Sequence, residues 1–199
     1  MAAARESTAK ERVLVVAEKL FSERGYDSVT LRDIAQALNI RQASLYHHFP
    51  NGKEQLFVEV TERSLARHRA EQERILAEHA GNDLRTQLVE LTRWLLTQPP
   101  VDLPRMIRSD MPAISEVNAQ MLSRAALDSL VAPIERAFAA ARERGEVEFS
   151  RMPHRERLLA ASFLAIVDNA RVAERFARTT AMDMVESMID VLLNGLRPR

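Results

Sequence analysis

The chain has 199 residues, 46% of them hydrophobic, and sets 28 Lys+Arg against 28 Asp+Glu for a net charge of zero. That length buries the core of one sizeable domain or two small ones, and the even balance excludes a polycationic molecule, so any nucleic-acid surface must be local. The absence of Cys removes disulfides, thiolate metal sites and thiol nucleophiles and fits a reducing cytoplasm; no apolar run approaches the roughly 18 residues of a membrane span, and the N-terminus lacks a signal-peptide core.

Apolar residues recur at helical spacing throughout, with no persistent strand-like alternation, so the expected class is all-α with about nine helices. A first helix is expected over Ala9 to Arg24, with Thr8 and Glu11 as a capping box, Val13, Val16, Ala17, Leu20 and Phe21 as its stripe, and Gly25 as the left-handed residue after it. The stretch "VTLRDIAQAL" announces a second helix. Thr30 is its N-cap, Asp33 the reciprocal partner, and Val29 and Ile34 a hydrophobic staple. Asn39 suits a left-handed turn, with Ile40 as the apolar anchor after it. A short third helix follows from Gln42 to His48, and two short helices joined by a tight turn make a helix-turn-helix.

Asn51 and Glu54 are placed to cap a fourth helix that runs to about Glu78. Further helices are expected from Leu84 to Thr97, from Ile114 to Arg144 with a kink or break at Pro133, from His154 to Arg175 and from Ala181 to Leu196. The expected organisation is residues 1–52 as a three-helix unit and 53–199 as a larger helical body.

The segment "RQASLYHHFPNGK" contains no acid. Leu45 and Phe49, four apart, share the core face, and His48 leans after them. Ala43, Tyr46 and His47 look outward, and Gln42 and Ser44 stand at the helix start. In a helix-turn-helix the second helix enters the major groove. Gln pairs with adenine, Ala touches a thymine methyl, and Tyr and His donate to phosphate. A carboxylate in this position would face phosphate.

These motifs resemble the DNA-binding domain of the TetR family of transcriptional regulators: "T-x-R-D-I-A", a short turn, "S-L-Y-H-H-F" and "K-E-x-L-F" at these spacings, between about Val13 and Phe57. The resemblance implies a double-stranded DNA operator as partner. Its contacts would be Thr30, Arg32, Gln42, Ala43, Ser44, Tyr46, His47 and Lys53, with Arg41 at an unusual capping position. It also implies a homodimer on a palindromic operator and a C-terminal body that binds a small-molecule effector. Binding of that effector changes the angle of helix four and releases DNA. Repression is the default, and activation stays open. Asn39 departs from the family's usual Gly, and Gly52 is an extra residue before Lys53.

In the body, Trp94, Met106, Met111, Met121 and Phe138 are candidate pocket residues, because Met adapts to varied apolar shapes. Arg105, Arg108 and Asp110 are either polar contacts there or a solvated face. The last two helices are the expected dimer interface, with Phe163, Ile166, Val167, Val185, Met188, Ile189 and Leu192. Asp168 and Asn169 interrupt that apolar run and are assignable to a ligand, the other subunit or solvent.

The five histidines show no metal-ligand spacing, and no Gly-rich phosphate loop, GxSxG or catalytic carboxylate pair is present. No metal, no cofactor and no enzyme activity is expected. The alternatives are a constitutive DNA-binding protein without a ligand and a helical protein that binds no DNA.

Overall fold

The structure is a computed structural model that describes residues 2–100, 102–149 and 154–196. It is all-α, as expected. Among the described residues there are nine α-helices of seven or more residues, one single turn, and no strand. They are α1 (Ala2–Arg24), α2 (Leu31–Leu38), α3 (Gln42–His48), α4 (Gly52–Glu78), α5 (Leu84–Leu95), the turn α6 (Leu103–Arg105), α7 (Glu116–Ala126), α8 (Ala132–Glu143), α9 (Arg155–Ala173) and α10 (Ala181–Gly195). No helix among the described residues is long and apolar enough to cross a membrane.

The chain forms two compact units, Met1–Ala66 with Val101–Ala125 and Arg67–Pro100 with Ala126–Arg199. This differs from the division expected at residues 52 and 53. The first turns of α4 belong to the N-terminal unit because they pair with α1, through Lys10–Glu59 at 2.6 Å and Arg63–Glu11. The segment from Asp102 to Asn118 joins the same unit through polar contacts described below.

In this first unit α1 begins at Ala2, so Thr8 and Glu11 lie inside it and do not cap it. Val13, Leu14, Ala17, Leu20 and Phe21 bury its inner face. The helix stops at Gly25, whose φ of +79° suits a residue without Cβ and whose N–H reaches Phe21 O at 2.9 Å. A ring cluster closes the unit, with Phe57 edge-on to both Phe21 and Tyr26.

In the second unit α9 packs between α8 and α10, and α10 also meets α5. Every third or fourth residue of α9 faces in: Ala160, Phe163, Leu164, Val167 and Ala170. Ala181, Val185 and Ile189 form the inner stripe of α10. Four of the expected interface residues, Phe163, Val167, Val185 and Ile189, are therefore core, at most 2% exposed. Ile166 and Leu192 are half-buried. Of the seven, only Met188 (44%) is exposed; Leu158, Val172 and Val191 of the same two helices are exposed too, as is Phe176 in the turn between them.

Pro133 breaks the long pattern from Ile114 to Arg144 as expected. The chain passes through a π turn, Leu127–Val131, before α8 resumes with Pro133 in its first turn. Pro has no N–H for the carbonyl four residues back. That carbonyl, Ser129 O, instead faces the amide nitrogen of the fully buried Gln72 at 3.5 Å. Arg171, half-buried, donates to the carbonyls of Leu95 and Leu96 at the end of α5 and lies 3.7 Å from Asp168. Asp168 thus supports a helix cap, and Asn169 is exposed.

The hydrogen bonds at helix starts lower several carboxyl pKa values. Thr30 donates to Asp33, Ser115 and Asn118 to Glu54, Thr86 to Asp83, and Thr180 to Asp183, and each holds its acid below the ordinary 3.8 to 4.5. A depressed folded-state pKa contributes stability that is complete above the unfolded value and disappears as the acid protonates. The thermal midpoint should therefore stay level from neutral pH to about pH 5 and fall progressively below the ordinary carboxylate range. Calorimetry across that range checks this; an unchanged midpoint at pH 3 would contradict it.

Candidate nucleic-acid interface

The start of α2 is fixed by a reciprocal cap. Asp33 N donates to Thr30 Oγ1 (3.2 Å), and Thr30 N donates to Asp33 Oδ2 (2.8 Å). The Thr30 hydroxyl also lies 2.6 Å from Asp33 Oδ2, so its hydrogen is committed there. Thr30 is accordingly a helix cap in this structure. Val29 and Ile34, the expected staple, are both 0% exposed. Arg32 sits on the outer face of α2.

The turn works without glycine. Asn39 is left-handed at φ 54° and ψ 45°, and its N–H and that of Ile40 return to Gln36 O and Ala35 O at 3.1 and 3.0 Å. Ile40, expected as an anchor, is 40% exposed.

The short α3 divides as its spacing predicts. Leu45 and Phe49 are 0% exposed, Tyr46 is 47% exposed, and Gln42, Ala43, Ser44 and His47 are all on the surface. His48 is half-buried and lies between the His47 and Phe49 rings. Arg41 is the N-cap, in extended conformation and with no side-chain cap bond, so its exposed guanidinium is not used in starting the helix. The face holding Arg41, Gln42, Ala43, Ser44, Tyr46 and His47 is thus continuous, exposed and free of acid.

Two sequence expectations at the end of the motif change. Lys53 does not point outward from the helix start. Its ammonium donates to Tyr26 O at 3.0 Å and lies 3.8 Å from the centroid of the Tyr26 ring. It fastens α4 to the turn after α1, and nothing short of sequence separation hid this. Glu54 does not cap α4 either; Gln55 accepts from Asn51 N at 3.0 Å, and Glu54 accepts from Ser115 N and Asn118 Nδ2 at 2.9 and 2.8 Å.

Gly52, the extra residue, has φ +75°, and a Cβ there would meet Tyr46 Cε1 at 3.8 Å.

The candidate pocket residues do not gather in one unit. Met106, Met111 and Met121 belong to the first, the first two buried and Met121 38% exposed. Trp94, edge-on to the buried His68, and the fully buried Phe138 belong to the second.

Fold and site together define a helix-turn-helix protein with a helical body. Residues 13–60, which hold the helix-turn-helix, match the family model described as bacterial regulatory proteins, tetR family. It is similar to the biofilm operon icaADBC negative transcriptional regulator IcaR of Staphylococcus aureus, 52% identical over 44 residues, and to IcaR of Staphylococcus epidermidis, 49% identical over 45. The match spans 22% of this chain and about a quarter (24%) of the S. aureus regulator's length.

Two solved structures share the fold over nearly the whole chain. A TetR-family regulator from Agrobacterium tumefaciens superposes with a TM-score of 0.70 at 24% identity, covering 96% of this chain and 99% of that one. A transcriptional regulator from Saccharomonospora viridis, in complex with choline, gives 0.68 at 22%, covering 97% and 100%. The relatives named here are regulators, not enzymes.

Two substitutions test the local geometry. Thr30→Ala should lower stability by ~1 kcal/mol through loss of the cap. Gly52→Ala should lower it by ~1 kcal/mol through its left-handed backbone. Denaturant midpoints check both, and a neutral result at either would contradict the assignment.

Proposed function

We propose that this chain is a repressor that binds a palindromic DNA operator as a homodimer and is released by a small-molecule effector. The observation that carries the DNA reading is the exposed, acid-free face of α3, held outward by the burial of Leu45 and Phe49. Gln42 and Ala43 are the base-reading pair; Arg41, Tyr46, His47 and Arg32 are donors to phosphate. The likeness to IcaR over the helix-turn-helix, in a protein named as a negative regulator, supports repression.

The outer faces of α9 and α10 support the dimer. Leu158, Val172, Met188 and Val191 are 44–65% exposed on these two neighbouring helices, and Phe176 in the turn between them is 87% exposed, which is unusual for so many large apolar side chains. A two-fold dimer on a palindromic operator needs its two recognition helices about one DNA turn, near 34 Å, apart. For an effector, support is indirect: a fold neighbour holds choline, and a cleft of about 270 Å³ lies between the end of α4 and α8, lined by Ala77, Ala80, Pro133 and Ala137. α4 (Gly52–Glu78) begins directly after the helix-turn-helix and its last turns line this cleft, so an effector would act through that helix.

Gln42→Ala should cost ~1–3 kcal/mol of operator affinity and relax preference at one base pair. Tyr46→Phe should weaken all sequences alike by ~1 kcal/mol. Gel shifts at fixed salt measure both; unaltered specific binding in the pair would overturn the site assignment. For the dimer, Val191→Glu with Met188→Glu should give monomers at micromolar concentration in sedimentation and lower operator affinity. A wild type that is itself monomeric there would refute the dimer.

A further inference from the structure

Arg105 and Asp110, expected as pocket contacts or a solvated face, instead join the segment after α5 to the end of α1. Arg105 donates from Nη1 to Ser22 O at 2.8 Å and from Nη2 to Phe21 O at 3.2 Å. Both are carbonyls in the last turn of α1, where helix-internal donors run out; Phe21 O also accepts from Gly25 N at 2.9 Å. Asp110 Oδ1 accepts from Tyr26 N, just past the helix, at 2.8 Å. The two side chains face each other at 3.6 Å, with Asp110 5% exposed.

Three further observations show that the structure is arranged around this pair. In an α-helix residues five apart point to different sides, but here a π turn over Met106–Asp110 intervenes and aligns Arg105 with Asp110. Gly25 leaves room: a Cβ there would meet Asp110 Oδ1 at 3.2 Å and Arg105 Cδ at 3.6 Å. Met106, the first residue of the π turn, and Met111, just after it, are 7% and 6% exposed and anchor the segment. Tyr26 is then held on both backbone groups, its N–H by Asp110 and its C=O by Lys53.

We propose that Arg105 and Asp110 are positioning residues for DNA recognition, a charged clip on the backbone at the end of α1 that sets the direction in which α2 and α3 leave it. Neither residue touches DNA. The clip is directional: carbonyls need a donor and Tyr26 N–H needs an acceptor, so the order of charges matters as well as their attraction. This rests on the DNA-binding reading above.

The test uses the full chain, the duplex it selects from a random pool, and a scrambled duplex of equal length. Arg105→Ala and Asp110→Ala should each weaken binding to the selected duplex tenfold or more, leave the scrambled duplex within twofold, and leave the salt dependence unchanged. The double variant should be no worse than either single one. The swapped pair R105D/D110R restores an ion pair and should not restore binding. In Asp110→Ala the Tyr26 amide should exchange with solvent at least tenfold faster, a readout independent of DNA. Should the alanine variants not fold, Arg105→Lys and Asp110→Asn should give intermediate losses. Selected-duplex affinity within twofold of wild type in folded variants, parallel loss on both duplexes, or rescue by the swap would overturn the clip. If wild type prefers no duplex, the DNA-binding reading fails and the positioning role with it, while the amide exchange still reports whether the clip holds the backbone.

Discussion

The complete burial of Leu45 and Phe49 fixes which way α3 faces, and the candidate interface depends on it. A seven-residue helix is far below the length at which a helix is stable alone. Its conformation and its orientation therefore come from packing. The two buried side chains are one turn apart, so Gln42, Ala43, Tyr46 and His47 have nowhere to go but outward. Lys10 adds to this from α1, its ammonium 5.5 Å from the Phe49 ring centroid.

Much of the charge in this neutral chain serves helix ends. Asp33, Asp83 and Asp183 each accept at an N-terminus within their own first turn or one residue before it. Arg171 and Arg105 do the converse over long range, donating to the final carbonyls of α5 and α1. Gln72 places its amide nitrogen 3.5 Å from the carbonyl that Pro133 cannot serve. Orphan backbone groups at helix ends have to be satisfied somewhere, and here several of the solutions tie distant parts of one unit together.

The features legible in the sequence are those decided within four or five residues. The Thr30–Asp33 cap, the left-handed Gly25 and Asn39, the break before Pro133 and the two faces of α3 all have this range. Lys53 and Tyr26 are 27 apart, and Asp110 and Tyr26 are 84 apart, so no local pattern could announce either contact. The start of α4 shows a closer ambiguity: Glu54 and Gln55 both fit a cap, and only the tertiary pull of Ser115 on Glu54 decides between them. On α9 the difficulty is different. A helix apolar nearly all round carries no period that separates the side facing its own core from the side left outside, and Phe163 and Val167 fell on the wrong side for that reason.

The central claim is that the outward face of α3 reads double-stranded DNA. Selection of bound duplexes from a random pool at about 150 mM salt tests it most directly. The account predicts enrichment of a palindrome whose half-site centres lie about one helical turn apart, near 34 Å. A pool that stays unenriched after repeated rounds, with binding that follows salt alone, would contradict it.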